Sequence, residues 1–445
     1  MVRGLAKMRC CMAAALLAVL QCQWNKRATN FGITVHHVSR PRPIQSSKHG
    51  RGPSTVKDWA ICSLSFSLMI CLRPATSAAK VRRRALGVAP PDILCAADWN
   101  VFGKDAGLRV GSPPGTCSDL QELDFSTMQQ QMRHDGYSKL KQEDWSNGGH
   151  LTSLDAGIGL LEAAGLPEQF LLVFDEAWDV ANSVSQTLEP IFGLKNNMDF
   201  FVFNVRPGKF GWNLHRDRPE GKLGLAEDGT PEYTTVWIAI TDASPETSCI
   251  YVLPAHADPE YRTMSGSKYD KQVVAFALQH VRALPVESGT VLTWSHRLLH
   301  WGSAAPEAAA QARRTLTFAM AAPGYEQPLL DVQAGQRPSF EARLTLIAYT
   351  LICYHHSQPV PLNMQPLLIE IMQRHSEHLT VAAIVQQTGE SLFRNMLAFC
   401  EMGGQTEMIA VEDAGDKMLS RFGMKTDWWH AECSAKRAKL PAREE

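Results

Sequence analysis

Between residues 199 and 324 the chain carries a succession of short β-rich runs, each stopped by a turn, with no helix-length segment between them. "DFFVFNVRPG" ends at Pro207-Gly208, "YTTVWIAITDA" at Asp242 and "CIYVLP" at Pro254. "VRALPVESGTVLTWSH" breaks at Ser288-Gly289, and "RRTLTFAMAAPG" closes at Pro323-Gly324. Consecutive strands joined by turns pair antiparallel, because a parallel pair needs a long crossover that this stretch lacks. The constraint selects an antiparallel sandwich or barrel and excludes a parallel α/β sheet.

Helical patterning flanks this block. "DFSTMQQQMRHDGYSKL" reads as a helix, a turn at Asp135-Gly136 and a short strand, and "SLDAGIGLLEAAGL" and "FDEAWDVANSVSQTLEPIFGL" read as further helices. After residue 338, "SFEARLTLIAYTLICYHH" returns to helix spacing. The resulting division is 1–91 as leader, 92–123 as a loose Pro/Gly/Ala-rich linker, 124–330 as the β-rich domain and 331–445 as a helical extension with a solvated tail. That extension either buttresses the β domain or makes a dimer contact.

Charge separates the leader from the body. Fifteen of the 44 basic residues but only one of the 45 acidic ones, Asp58, precede Asp92, which leaves 29 against 44 in the remainder. Two apolar runs, Cys10–Cys22 and Trp59–Leu72, lie in this basic segment, both short of the roughly 20 residues a membrane span needs. Apolar runs of that kind are uncommon in nucleic-acid-binding arms, so no nucleic-acid partner is expected. Two such runs around a basic, Ser-containing stretch resemble the composite leaders of algal plastid proteins. That implies delivery to an organelle, with the plastid as first candidate and the cytoplasm as the location otherwise; a membrane anchor and a misassigned gene start are the alternatives. Five of the eleven cysteines fall in the leader, and the other six are scattered without a CxxC pair, which excludes a zinc ribbon and a disulfide scaffold.

The chemistry concentrates in "NLHRDRPEG". In an extended segment His215 and Asp217 project to one face, so one metal ion can take both. A third ligand comes from "GTVLTWSHRLLHWGS": His300, with His296 as the weaker candidate. Two His and one carboxylate on one face of an octahedral ion leave three positions open, the arrangement of non-haem Fe(II) oxygenases. In "ARRTLTF", Arg313 and Thr315 share a strand face, and a guanidinium grips a carboxylate bidentately, as the far end of 2-oxoglutarate requires. Arg314 is the rival, since a one-residue slip flips every side chain. Trp237 and Trp301 are candidate pocket walls, Arg216 and Arg218 are expected to face away into solvent, and His36-His37, His256 and His355-His356 read as structural or surface residues.

From about residue 125 to 325 the chain resembles the phytanoyl-CoA dioxygenase family of Fe(II)/2-oxoglutarate oxygenases. The matching pieces occur in the family's order: "RHDGYSKL", "LHRD", "TTVWIAITDASPETSCIYVLP", "SGTVLTWSHRLLHWGSAAPE" and "RRTLTF". The resemblance implies a double-stranded β-helix (jelly-roll) core with flanking helices, an α+β fold. It implies that His215, Asp217 and His300 hold Fe(II) and that Arg313 holds 2-oxoglutarate. The implied reaction consumes O2 and 2-oxoglutarate, releases succinate and CO2, and hydroxylates an unactivated C–H bond of a small-molecule or acyl substrate. A halogenase of similar fold would have a small residue in place of Asp217. Two departures lie in a turn and a loop: Thr247-Ser248 where the family usually has Asn-Gly, and Ala255-His256 where it often has Gly-Ser-His. An inactive jelly-roll binding protein and a zinc hydrolase on a cupin-like barrel are the competing readings.

Overall fold

The computed structural model describes residues 89–112, 125–141, 149–218, 223–263, 277–358, 360–387, 389–400 and 405–437. The leader expected over 1–91 lies outside these apart from its last three residues, as do His36 and His37. Two antiparallel sheets form the centre. The larger consists of β1 (Tyr137–Lys141), β2 (Lys195–Val205), β3 (Tyr233–Ala239), β6 (Thr290–Ser295) and β8 (Arg313–Ala321), in the order β1-β6-β3-β8-β2. The smaller consists of β4 (Ile250–Leu253), β5 (Arg282–Leu284) and β7 (Leu299–Gly302), in the order β5-β4-β7. The run of short strands led to an antiparallel sandwich or barrel, and the fold is the antiparallel jelly roll that the family resemblance implies.

Alternation along each strand divides the larger sheet into two faces. Val236, Ile238, Val291, Leu316 and Met320 join the main apolar cluster beneath the helices. Trp237, Ala239, Leu292 and Trp294 point the other way and pack with Ile250 and Val252 of the smaller sheet. Every residue of β3 and β6 is buried, so neither strand shows the apolar-in, charged-out alternation of a half-solvated sheet.

The helices are α1 (Ala96–Gly103), α2 (Phe125–Asp135), α3 (His150–Ala164) and α4 (Asp175–Phe192) before the strands β2 to β8. After them come α5 (Phe340–Cys353), α6 (Gln365–His375), α7 (Val381–Gln387), α8 (Glu390–Cys400), α9 (Gln405–Arg421) and α10 (Asp427–Arg437). Gly136, at φ +78°, ends α2 and turns the chain into β1; a Cβ there would meet Leu298 at 2.9 Å. Helix α5 starts at Ser339, whose Oγ accepts from the Ala342 N–H at 3.2 Å, and is buried from Ala342 to Cys353. Apolar residues of α5 to α10 belong to the same cluster as the back of the larger sheet, so the extension is packed into the β domain's core. No helix among the described residues is long and apolar enough to cross a membrane.

The expected loose linker is ordered over α1. Trp99 is fully buried, stacked on Phe170 with edge contacts to Phe102 and Phe174, and its Nε1–H donates to the Ile93 carbonyl at 3.1 Å. Pro, Gly and Ala content masked a segment that one large aromatic anchors. Trp99→Ala is expected to lose about 3–5 kcal/mol of stability in chemical denaturation of the full chain, the cost of emptying a buried aromatic site. A change within experimental error would mean that α1 does not contribute to the fold.

Candidate metal centre

The segment carrying His215 and Asp217 is held against β7 by backbone contact. The Gly211 N–H donates to Ser303 and the Gly302 N–H to Trp212, at 3.1 and 3.0 Å. A Cβ on Gly211 would lie 2.8 Å from the Gly302 backbone, so only glycine permits this approach. His215 and His300 then exchange both backbone hydrogen bonds, each 3.0 Å. That pair sets two imidazoles side by side, with ring centroids 4.3 Å apart.

Each imidazole is oriented by its own backbone. His215 Nδ1 lies 2.6 Å from the Asn213 carbonyl and His300 Nδ1 lies 3.0 Å from the Leu298 carbonyl. A carbonyl only accepts, so both Nδ1 atoms carry protons and both Nε2 atoms present lone pairs. Those lone pairs face Asp217 Oδ1, at 3.2 Å from His215 and 3.5 Å from His300. The other oxygen, Oδ2, accepts from Thr235 Oγ1 at 2.5 Å and Trp294 Nε1 at 2.9 Å. Burial works to raise the Asp217 pKa, but the His300 and His215 imidazoles when protonated, together with the Thr235 hydroxyl, outweigh it and hold the carboxyl well below the usual range. Burial lowers the His300 pKa to about 4 against the pull of Asp217, so its ring is neutral near pH 7. Three lone-pair donors converging on one point fit a divalent cation, and two nitrogens with one oxygen suit iron and its first-row neighbours.

Across the cavity stands Arg313, 3% exposed, its guanidinium 5.6 Å from the Trp237 ring centre and its Nε without a protein partner. Burial pulls its pKa down to about 10. Thr315 is on the same strand face and its buried hydroxyl is unpartnered, but Thr317 is the β8 threonine that lines the cavity. Arg314 points to the opposite face and pairs with Asp155 at 2.8 Å, whereas Arg313 lines the cavity.

Several placements differ from expectation. Arg216 faces away from the cavity but is buried, paired with Asp258 at 2.7 Å and donating to the Arg297 carbonyl. Arg218 turns into the cavity and pairs with Asp199 and Glu326, both at 3.1 Å. Strand alternation fails here because the Asp217 and Arg218 N–H groups both donate to the His296 carbonyl, at 3.1 and 3.4 Å, so the backbone turns after Asp217 instead of continuing as a strand. His296 is fully buried between the Tyr233 and Leu223 carbonyls, away from the cavity. Trp237 lines the cavity, whereas Trp301 stacks on Tyr251 on the other face of the smaller sheet. His256 has partners after all: it stacks on His134, and both rings contact Asp135 Oδ1, at 3.0 and 2.9 Å. His355 bonds the Ile352 carbonyl and touches His356, away from the metal donors. The Thr247-Ser248 departure keeps the turn, because Ser248 itself adopts the left-handed φ of +69°. Sequence reasoning missed Thr235 and Trp294, which orient Asp217, and Tyr354, which the end of α5 brings into the cavity wall.

The phytanoyl-CoA dioxygenase (PhyH) family model matches residues 161–314, a segment that contains all three donors and Arg313. No curated protein matches the chain. Among solved structures, EvdMO1 is similar at 15% identity over 45% of this chain and 50% of its own, TM-score 0.35, so the match spans half of that protein's length. The non-heme alpha ketoglutarate dependent epimerase SnoN from nogalamycin biosynthesis is similar at 15% identity over 44% of this chain and 82% of its own, TM-score 0.35. EctD from S. alaskensis, solved with 2-oxoglutarate and 5-hydroxyectoine, is similar at 13% identity over 49% of this chain and 84% of its own, TM-score 0.34.

Trp294→Phe deletes one of the two hydrogen bonds to Asp217 Oδ2 while keeping an aromatic ring. It is expected to weaken divalent-ion binding by roughly ten- to hundredfold, the usual cost of losing an outer hydrogen bond to a ligand. Trp301→Phe should leave binding unchanged. Anaerobic calorimetric titration of Fe(II) into both variants is the measurement, and equal affinities would show that Trp294 does not orient the carboxylate.

Proposed function

We propose that this chain is an Fe(II)- and 2-oxoglutarate-dependent dioxygenase that hydroxylates a C–H bond of a small-molecule or acyl substrate. The observation that carries the reading is the convergence of His215, Asp217 and His300 lone pairs in a cavity whose opposite wall holds an unpaired, buried Arg313. The family model over residues 161–314 points the same way. His215 Nε2, His300 Nε2 and Asp217 Oδ1 would hold the iron. Arg313 would grip the distal carboxylate of 2-oxoglutarate, with a β8 threonine hydroxyl beside it: Thr315 by the sequence pattern, or Thr317 by its place on the cavity wall.

With O2, the iron and 2-oxoglutarate together supply oxidising power sufficient for an unactivated C–H bond, releasing succinate and CO2. The chain's own residues prepare the site. Asp217 is kept ionised by its neighbours, so it stays a ligand with a full negative charge; a small residue there would leave a position for a halide and a different outcome. Thr235 and Trp294 prevent rotation of its carboxylate. Trp237, Ile250 and Trp294 give the cavity apolar walls that keep bulk water away from the metal donors.

Full-length protein stripped of metal and given Fe(II) and 2-oxoglutarate without oxygen should develop a weak visible charge-transfer band. Asp217→Ala should abolish it. Arg313→Ala should raise the 2-oxoglutarate concentration needed by roughly 10- to 100-fold, the equivalent of losing one or two hydrogen bonds to a charged group. A folded wild type that gives no band rules the proposal out.

A further inference from the structure

A second set of metal-ligating side chains lies outside the cavity, where the end of α2 meets the loop after β4. His134 and Asp135 are the last two residues of α2, and His256 sits in the single turn that follows β4. One oxygen, Asp135 Oδ1, lies 2.9 Å from His134 Nδ1 and 3.0 Å from His256 Nδ1. The two rings stack with centroids 4.5 Å apart and planes 24° apart. The other oxygen, Oδ2, accepts from Arg282 at 3.4 Å, and Arg282 also donates to the Tyr137 hydroxyl at 3.0 Å. Both histidines are exposed and Asp135 is half-buried, so an ion can reach the donors from solvent.

This set repeats the plan of the candidate iron centre. There the ring centroids are 4.3 Å apart, one carboxylate oxygen faces both imidazoles at 3.2 and 3.5 Å, and the other oxygen is held by neighbouring donors. An ion bound to nitrogen and oxygen at about 2.0–2.2 Å sets adjacent donors roughly 3 Å apart, which is the carboxylate-to-imidazole spacing of the new set. One donor atom from each of its three residues lies within 4.8 Å of the others. His375, Glu377 and His378 also meet that limit, but more loosely: His375 stands 4.0 Å from Glu377, and the two rings are 6.4 Å apart. The backbone fixes the tighter set. Gly136, directly after Asp135, lies so close to Ala255 that an added Cβ would meet the alanine side chain at 3.0 Å. The Gly136 carbonyl accepts from the Ser295 N–H at 2.9 Å, which anchors the end of α2 to β6.

We infer that His134, Asp135 and His256 form a second divalent-cation site, suited to zinc or a neighbouring late first-row ion, with water completing the coordination. Arg282 holds Oδ2 and leaves Oδ1 to the ion, and at this exposed position solvent and salt screen the ion from the guanidinium. The ion ties the end of α2 to the loop after β4. That loop carries Asp258, whose carboxylate holds Arg216, the residue between His215 and Asp217, at 2.7 Å. Occupancy braces the segment behind the candidate iron centre without entering the cavity. The inference is independent of the oxygenase reading, because none of the three residues lines the cavity.

The test uses full-length protein carrying Asp217→Ala, which disables the donor set in the cavity. The protein is stripped of metal and dialysed against micromolar zinc chloride. Bound zinc is counted by elemental analysis, and the melting temperature is recorded with and without zinc. Adding His134→Ala and His256→Gln should remove one ion per chain and abolish a zinc-dependent rise of several degrees. Glutamine can still donate to Asp135 but takes away the imidazole ligand, so His256→Gln alone should lose the rise while the zinc-free melting temperature stays put. That split separates loss of a ligand from loss of a hydrogen bond. Zinc held by cysteines is common to all variants and drops out of the difference. His378→Ala is the control and should keep the ion. A zinc count and melting shift that survive the paired substitution, or an ion lost with His378→Ala instead, overturns the inference. If Asp217→Ala does not fold, the same comparison on the wild-type background decides, since the count must still fall by one.

Discussion

Two backbone hydrogen bonds between His215 and His300 hold the functional half of this molecule together. They join residues far apart in sequence and turn an irregular connection into one rung of a sheet. Everything at the metal centre follows from that rung: the spacing of the two rings, the direction of their Nε2 atoms, and the placing of Asp217 two residues on. Gly211 and Gly302 make it possible, because side chains at either position would push the two backbones apart. Arg216 secures the same segment from behind through its buried pair with Asp258. A buried ion pair contributes little net stability by itself, but breaking one strands a charge, so it resists displacement of the segment it holds.

The cavity shows how burial and charge divide its labour. Asp217 accepts hydrogen bonds from Thr235 and Trp294, which favour its ionised form despite burial. Arg313 has no such company, and burial pulls its pKa down to about 10, still high enough to be charged near pH 7. An arginine left desolvated and unpaired in the free protein binds an incoming carboxylate without first breaking an ion pair. Arg314, one residue on, shows the contrast: its charge is spent on Asp155 of helix α3.

Much of this was legible in the sequence, and the failures have physical causes. The strand runs were readable because turn residues stop each one, and His215, Asp217 and His300 stood out by spacing and by the order of the surrounding motifs. Arg313 was preferred over Arg314 by strand alternation, a rule that holds along a continuously paired strand such as β8. The same rule misplaced Arg218, since two successive N–H groups, of Asp217 and Arg218, share the His296 carbonyl and the chain there is no longer a strand. Trp99 was hidden by the Pro/Gly/Ala composition around it. Thr235 and Trp294 looked like ordinary strand residues because their role lies in a partner 18 and 77 positions away.

The helical extension belongs to the same account. Helix α5 is buried along nearly its whole length against the back of the larger sheet and the turn before α4, so it cannot be a loosely attached appendage. Arg343 within it ties that packing to Val173 and to the buried Asp175. At the end of α5, Tyr354 leaves the helix and enters the cavity wall, in contact with Phe201 and Trp212. A wall built from β2, the metal-bearing segment and the C-terminal layer is shaped by three parts of the chain at once. The three candidate metal donors come from the jelly roll, whereas the cavity wall is completed by a residue beyond it. Variation in that extension would then reshape the pocket while leaving the His215–Asp217–His300 centre untouched.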